Sequence, residues 1–361
     1  MKNDIKLINM RAGNFSIALV IVMLCASISA MAQGDGARFY WKGLMGTNAV
    51  PVIGNSMGGN ANPFDPAQTI IPGSNFEATM SMAGYAKMLP VGKRSALISV
   101  IVPMGRIAGE ASLNGLDYSA TTRGFGDPMI LFDINVIGPK AIMNIPEMLR
   151  YKPGFSVDLI GSLAVPIGEY DNTSPINIGQ NRWYGRIGAP VVWQIGQWIP
   201  GKRTTLELLP AIWFFSDNTD FVGKTMETKP MYQLEAHLTR DFAEGLFGSL
   251  DVISYSGGKA TIDGHEGSSL NNLGVGGTLG YHLNDNMQLT LSYNTTVNDK
   301  NDEDLKMDGF RVTLLYGWHQ LIEGMRRLSS NDFCICFCHD YSFFKKLYGQ
   351  PPNGLASRSI A

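Results

Sequence analysis

Cysteine is missing from residues 33 to 320; the four present are Cys25 near the start and Cys334, Cys336 and Cys338 near the end. A disulfide framework is excluded for that stretch, so an exported domain of this size is held together by other means. Charge is scarce as well: Asp, Glu, Lys and Arg make up 17%, against ~25% in an ordinary soluble domain. A net charge of −2 argues against a broadly basic nucleic-acid-binding surface. No run reaches the ~18 apolar residues of a membrane-spanning helix. Gly124, Gly126, Gly274, Gly276 and Gly277 complete no dinucleotide-binding fingerprint, Gly201-Lys202 no P-loop, and no G-x-S-x-G elbow occurs. Glycine itself is plentiful, at 41 residues, without the triplet period of collagen. Hydrophobic residues at 45% exclude wholesale disorder.

The first 32 residues are laid out as a secretory signal peptide. Lys2, Lys6 and Arg11 precede an apolar run over 15–28, and Ala30-Met31-Ala32 supplies a small-x-small cleavage site. The mature chain is expected to begin at Gln33. An uncleaved anchor helix fits less well because the apolar run is short. A lipid anchor on Cys25 is disfavoured by Leu24, where a small residue is required.

From there to residue 320 the dominant pattern is alternation with period two. Tyr232, Leu234, Ala236 and Leu238 alternate with Gln233, Glu235, His237, Thr239 and Asp241. Met287, Leu289, Leu291 and Tyr293 alternate with Gln288, Thr290 and Ser292. Twelve strands are predicted near 39–46, 74–88, 94–105, 124–137, 153–165, 182–197, 203–216, 229–242, 246–257, 270–283, 286–297 and 308–318. Odd-numbered connections are long and even-numbered ones mostly tight. An even strand number with short periplasmic turns and longer extracellular loops is the pattern of a transmembrane β-barrel. Closure follows from physics, since backbone groups cannot stay unpaired in lipid. The fold class expected is therefore all-β, a transmembrane antiparallel up-and-down barrel of about 12 strands.

A soluble sandwich or lipocalin-like barrel is the competitor. Its dry interior would have to accept Glu77, Lys87, Asp133, Asp158, Arg182, Arg186, Glu207, Glu235, His237, Asp251 and Arg311, which a polar lumen tolerates far better. Aromatic groups at Phe39–Trp41, Trp183–Tyr184, Trp193, Trp198, Trp213–Phe215, Tyr316 and Trp318 suit interfacial girdles. Ordinary strand propensity would place aromatics there too.

Three segments carry a family resemblance. They are Pro166-Ile-Gly-Glu-Tyr-Asp-Asn with Asn177-Ile-Gly-Gln-Asn-Arg-Trp183, Trp213-Phe-Phe-Ser-Asp-Asn-Thr-Asp-Phe221 with Pro230-Met-Tyr-Gln-Leu234, and Tyr255-Ser-Gly-Gly-Lys259 leading to Asp263-Gly264. Over most of 35–318 the chain resembles the MetA-pathway of phenol degradation family. The resemblance implies an outer-membrane barrel of a Gram-negative bacterium and passage of small, often aromatic, molecules. Its motif residues map to Tyr170, Asp171, Asn177, Gly179, Asn181, Arg182, Trp183, Asp217 and Asn218, with no catalytic role attached.

Physically, Asp171, Asn172, Asp217 and Asn218 favour turns because their side chains bond the local backbone. Loop anchoring by Tyr170, Asp171, Asn177, Asn181, Trp183, Asp217 and Asn218 is preferred to ligand contact. A Ca²⁺ site from Asp217, Asn218 and Asp220 lacks EF-hand spacing, so no metal is expected. Arg182, Arg186, Glu207, Glu235, His237, Asp251 and Arg311 are the lumen-lining candidates. Inward Arg182 and Arg186 could select anions, yet mixed signs point rather to a ladder in which they pair with Glu207, Glu235 and Asp251. The two ends of the chain each hold a net +2, leaving −6 for 33–320, which also opposes a strongly anion-selective pore.

No base–nucleophile pair is apparent, so no catalytic residue, cofactor or nucleic-acid partner is expected. Outer-membrane lipid, the barrel assembly machinery and an unidentified small solute are the expected partners. Residues 321–361 break the composition; Cys334, Cys336, Cys338 and His339 could hold a soft metal, but a disordered extension is the preferred interpretation. The domains expected are a signal peptide at 1–32, a barrel at 33–320 and an extension at 321–361. The function expected is passive uptake of small molecules, with a structural or adhesion-type barrel of blocked lumen as the alternative.

Overall fold

A computed structural model describes residues 34–70, 73–113, 116–298, 301 and 304–323. The signal peptide and the Cys334–Cys338 cluster lie outside the described residues. Residues up to Trp318 form one compact unit, and a second unit begins at His319.

The wall opens with β1 (Asn48–Gly59), β2 (Asn75–Val91) and β3 (Arg94–Leu113). β4 (Leu116–Phe125) returns along β3 as a hairpin, and β5 (Met129–Ile137) continues its line after a break at 126–128. The short helix α1 (Ile145–Arg150) precedes β6 (Phe155–Ala164). β7 (Tyr184–Gly188) and β8 (Val191–Gln194) are two parts of one wall position, followed by β9 (Thr204–Phe215). β10 (Asn218–Phe221) and β11 (Lys224–Thr228) stand outside the wall, which resumes with β12 (Met231–Ala243) and β13 (Leu246–Gly257). β14 (Ala260–Ile262) pairs with β11 and β15 (His265–Glu266) with β14, and β16 (Leu270–His282), β17 (Met287–Thr296) and β18 (Met307–Trp318) complete the barrel.

Hydrogen bonding runs from β12 through β18, round through β1 to β9, and back from β9 to β12. Counting β4 with β5 and β7 with β8, the wall is a closed antiparallel barrel of twelve strands. The seam is the pairing of the first strand with the last, Asn48 opposite Trp318. Tight turns close one rim: Val91 opposes Arg94 across a two-residue turn in which Gly92 has φ 59°. Only glycine adopts that backbone cheaply. Short turns mark this rim as periplasmic.

Side-chain parity follows the sequence pattern. Along β12, Gln233, Glu235, His237, Thr239 and Asp241 are buried in the interior while Tyr232, Leu234 and Leu238 face outward. On β17, Ser292 and Asn294 are buried and Tyr293 is exposed. That register puts Gln288 and Thr290 inside and Leu289 and Leu291 on the lipid face.

Four expectations are corrected. Residues 39–46 are not a wall strand; they belong to a segment folded into the lumen, and β1 begins at Asn48. Tyr40 is buried with that segment, while Tyr184 and Trp213 are buried on inward positions, so none of the three belongs to a girdle. Trp183, Trp193 and Phe214 are exposed on the outer surface, as a girdle requires. Glu77 and Lys87 are not on the lumen face; Glu77 is exposed and both share the outward parity of Tyr85, because Phe76, Ala78 and Met80 take the inward positions of β2. The connection predicted at 106–123 is largely strand, the β3–β4 hairpin projecting beyond the wall.

Candidate functional site: a lumen filled by the N-terminal segment

Residues 34–47 enter from the periplasmic rim and climb the lumen. Gly46 N–H donates to Met88 O at 2.9 Å, and Met88 N–H to Thr47 O at 2.9 Å, which fixes the entry point. Above it Lys42 pairs with Asp158 and lies 3.8 Å from Asp133. Trp41 Nε1 donates to Glu207 at 2.9 Å and Arg38 N–H donates to the same carboxylate at 2.8 Å. The Arg38 guanidinium bonds Asp241 at 2.6 Å and lies over the rings of Trp41 and Phe247, at 4.1 and 3.8 Å. Higher still, Asp35 and Gly36 donate their N–H groups to Glu235 at 3.2 and 3.0 Å. Arg186 pairs with Asp35, whose carboxylate also receives Tyr40.

The lumen-lining candidates therefore fall into three groups. His237 bridges Asp251 at 2.6 Å and Glu235 at 2.7 Å, and Ser249 and Thr278 donate to Asp251 at 2.5 and 2.6 Å. Glu207, Glu235 and Arg186 are engaged by the N-terminal segment, so the ladder expected among wall residues is completed instead by Asp35, Arg38, Trp41 and Lys42. Arg311 donates to Asn55 Oδ1 at 2.9 Å and to Gly34 O at 2.7 Å. Every buried charge in the first two groups has an opposite charge or several donors, the condition under which ions survive burial.

Arg182 belongs to the outer end of the barrel. It bonds Asp65 at 2.9 Å and Thr228 at 2.5 Å, with its guanidinium 5.0 Å from the Phe215 ring. It clamps three connections rather than facing a pore. Around it the motif residues form one network. Asn218 donates to Tyr170 Oη at 2.9 Å and to Gln180 O at 3.1 Å, while Asn181 donates to Asn218 Oδ1 at 3.0 Å. Tyr170 donates to Asp220 O at 2.9 Å, and burial pushes its phenol up. Asn177 closes the turn at Asp171, accepting its N–H at 2.7 Å and donating to its carbonyl at 3.0 Å. Asp171 accepts from the Thr173 hydroxyl and N–H, which hold its carboxyl below the usual range. Trp183 takes no such part by side chain; its N–H donates to Ser216 Oγ at 3.0 Å. Asp217 is exposed and lies outside the network.

Asp127, which the sequence did not single out, ties this network to the wall. It sits in the break between β4 and β5, 2% exposed, and accepts N–H groups from Gly168 at 2.9 Å and Gln180 at 2.8 Å. Gly179 is required here: a Cβ on it would lie 2.7 Å from the backbone of Gly168. β4 pairs only with β3, so its other edge meets no strand among the described residues. The loop at 166–182 folds beside that edge, with Glu169 N–H donating to Phe125 O at 2.7 Å. The sole advance signal for Asp127 is its place before Pro128, at a strand interruption.

Residues 54–313 match the family described as Putative MetA-pathway of phenol degradation. The chain belongs to that family. No curated protein sequence matches it. Among solved structures the family member is similar to an outer membrane channel from Pseudomonas putida F1, with 16% identity, 79% of this chain and 99% of that chain covered, and a TM-score of 0.60. The KdgM porin shares 8% identity over 74% of this chain and 99% of that one, with a TM-score of 0.39. The first likeness is one of fold: an outer-membrane β-barrel.

Proposed function

We propose that this family member is an outer-membrane channel for passive uptake of small molecules, its passage narrowed by its own N-terminal segment. The observation that supports this most is the seating of residues 34–47 in a polar lumen through ion pairs and hydrogen bonds from Glu207, Glu235, Asp241, Asp158 and Arg186. A lumen built so is no wide aqueous pore. It passes solutes small enough for the residual space, or passes them when the segment is displaced. Aromatic or otherwise compact apolar solutes fit the family's description. Removal of residues 1–32 by signal peptidase, residence in the outer membrane of a Gram-negative bacterium and insertion by the barrel assembly machinery complete the reading.

A non-enzymatic role is favoured by the arrangement around His237. Ser249 donates to Asp251 and not to the imidazole, whose two nitrogens are both taken by carboxylates. A histidine that activates a serine must hold its hydroxyl directly.

Planar-bilayer conductance and liposome swelling test the proposal. The wild-type chain is expected to show a small conductance, and the double variant Arg38→Ala, Lys42→Ala a clearly larger one. Silence of both proteins in both assays overturns uptake and leaves a structural or adhesion-type barrel with a blocked lumen.

A further inference from the structure

Above the N-terminal segment, between the lumen face of the seam and the loop at 60–70, lies a cavity of about 150 Å³. Its apolar lining is four methionines, Met57, Met80, Met82 and Met307, with Tyr255, Pro63 and Pro66. An apolar cavity of about this size holds a single benzene ring. Thioether side chains are soft and adaptable, and they make favourable contacts with aromatic rings.

The polar side of the cavity is incomplete. Asn55 is 3% exposed, and Arg311 donates to its Oδ1. An arginine only donates, so the amide orientation is fixed and Nδ2 is a donor. That Nδ2 is buried and has no hydrogen-bond partner among the described residues. Gln68, 8% exposed, also lines the cavity, and its Oε1 is buried without a partner among the described residues. Arg311 has no carboxylate within ion-pair distance among the described residues; its partners are the neutral oxygens of Asn55 and Gly34. The nearby acids are engaged elsewhere, Asp35 by Arg186 and Glu235 by His237. A buried donor left unmade is destabilising, because its desolvation is not offset. A guanidinium without a counter-ion beside a vacant amide donor is a site for an anion with two oxygens.

We propose that this cavity is a binding subsite for a small organic carboxylate, its oxygens on Arg311 and Asn55 Nδ2 and its compact apolar body among the methionines. The inference rests on the uptake reading, since it names the chemical class of solute that such a passage would hold. Net acidity of the barrel does not oppose it: Asp65, which also lines the cavity, is paired with Arg182, and Asp35 and Glu235 are paired with Arg186 and His237.

The test uses the purified full chain, folded in detergent, with sodium benzoate as probe and benzyl alcohol as its neutral counterpart. Calorimetric titration is expected to show benzoate binding, with benzyl alcohol at least about tenfold weaker. Asn55→Asp keeps an acceptor for Arg311 and neutralises it, so benzoate affinity should fall at least about tenfold. Met80→Trp fills the cavity without touching the charges and should abolish binding. Heat-modifiable migration shows that each variant has folded. Absence of benzoate binding to the wild-type chain, equal affinity for benzyl alcohol, or undiminished affinity in either folded variant overturns the subsite. Swelling assays on the same preparations separate the two claims. Solute passage without benzoate binding defeats the subsite alone, whereas benzoate binding without any passage defeats uptake alone.

Discussion

Leu291 and Thr290 are adjacent on β17 and face opposite solvents, lipid and lumen. Burying an arginine on the lipid face near the midplane costs about 2–4 kcal/mol. Leu291→Arg should therefore lower the temperature at which the folded band is lost on gels, and Thr290→Arg should lower it much less. Equal effects would mean a register shift of one residue, which inverts both faces. Single side chains also divide into those the sequence could announce and those it could not. Asp171, Asn177 and Asn218 were legible as loop anchors because their side chains bond backbone only two to a few residues away or within a recognisable motif. Asp127 was not, since its donors come from Gly168 and Gln180, far along the chain. Asn218→Ala should open the outer loops, because Asn218 joins Tyr170, Gln180 and Asn181 through separate bonds. The expected sign is faster proteolysis within 166–182 in a barrel that still shifts on heating.

Among the elements, the N-terminal segment is where local pattern misled. Phe39, Tyr40 and Trp41 have high strand propensity, and nothing within a ten-residue window disqualifies a strand there. What decides is distant: Arg38 answers Asp241, and Gly36 answers Glu235, partners some two hundred positions away. The wall strands were legible because lipid on one side and a polar lumen on the other impose alternation at every position. The small sheet of β10, β11, β14 and β15 stood hidden in two connections, as it spans no membrane and carries no such alternation. Removing partners of the segment tests its hold. Glu207→Ala strips the acceptor from both Arg38 N–H and Trp41 Nε1. Conductance should rise and become noisier, while the fold persists because the β9 ladder is unaffected.

For the whole molecule, closure is the source of stability in a chain without disulfides between 33 and 320. The unheated protein should migrate faster than the boiled one, and should fractionate with the outer membrane. A soluble periplasmic monomer would contradict the barrel. The even strand number and the alternation of tight and long connections were visible in advance. The filling of the lumen was not, because it depends on which charged side chains meet across the interior.

Pairing of β1 with β18 has a consequence for biogenesis. The seam joins positions about 260 residues apart, Ala49 with Gly317 and Gly59 with Met307, and long-range closure of this kind is slow. Two bare edges persist until the last strand has been made, so a nascent chain is exposed to mispairing throughout synthesis. The lumen segment has partners on β7, β9, β12 and β18, and can settle only when the ring is complete. Its seating thus reports a finished barrel: an assembly intermediate lacking β18 would leave 34–47 open to protease, and the mature protein would shield it.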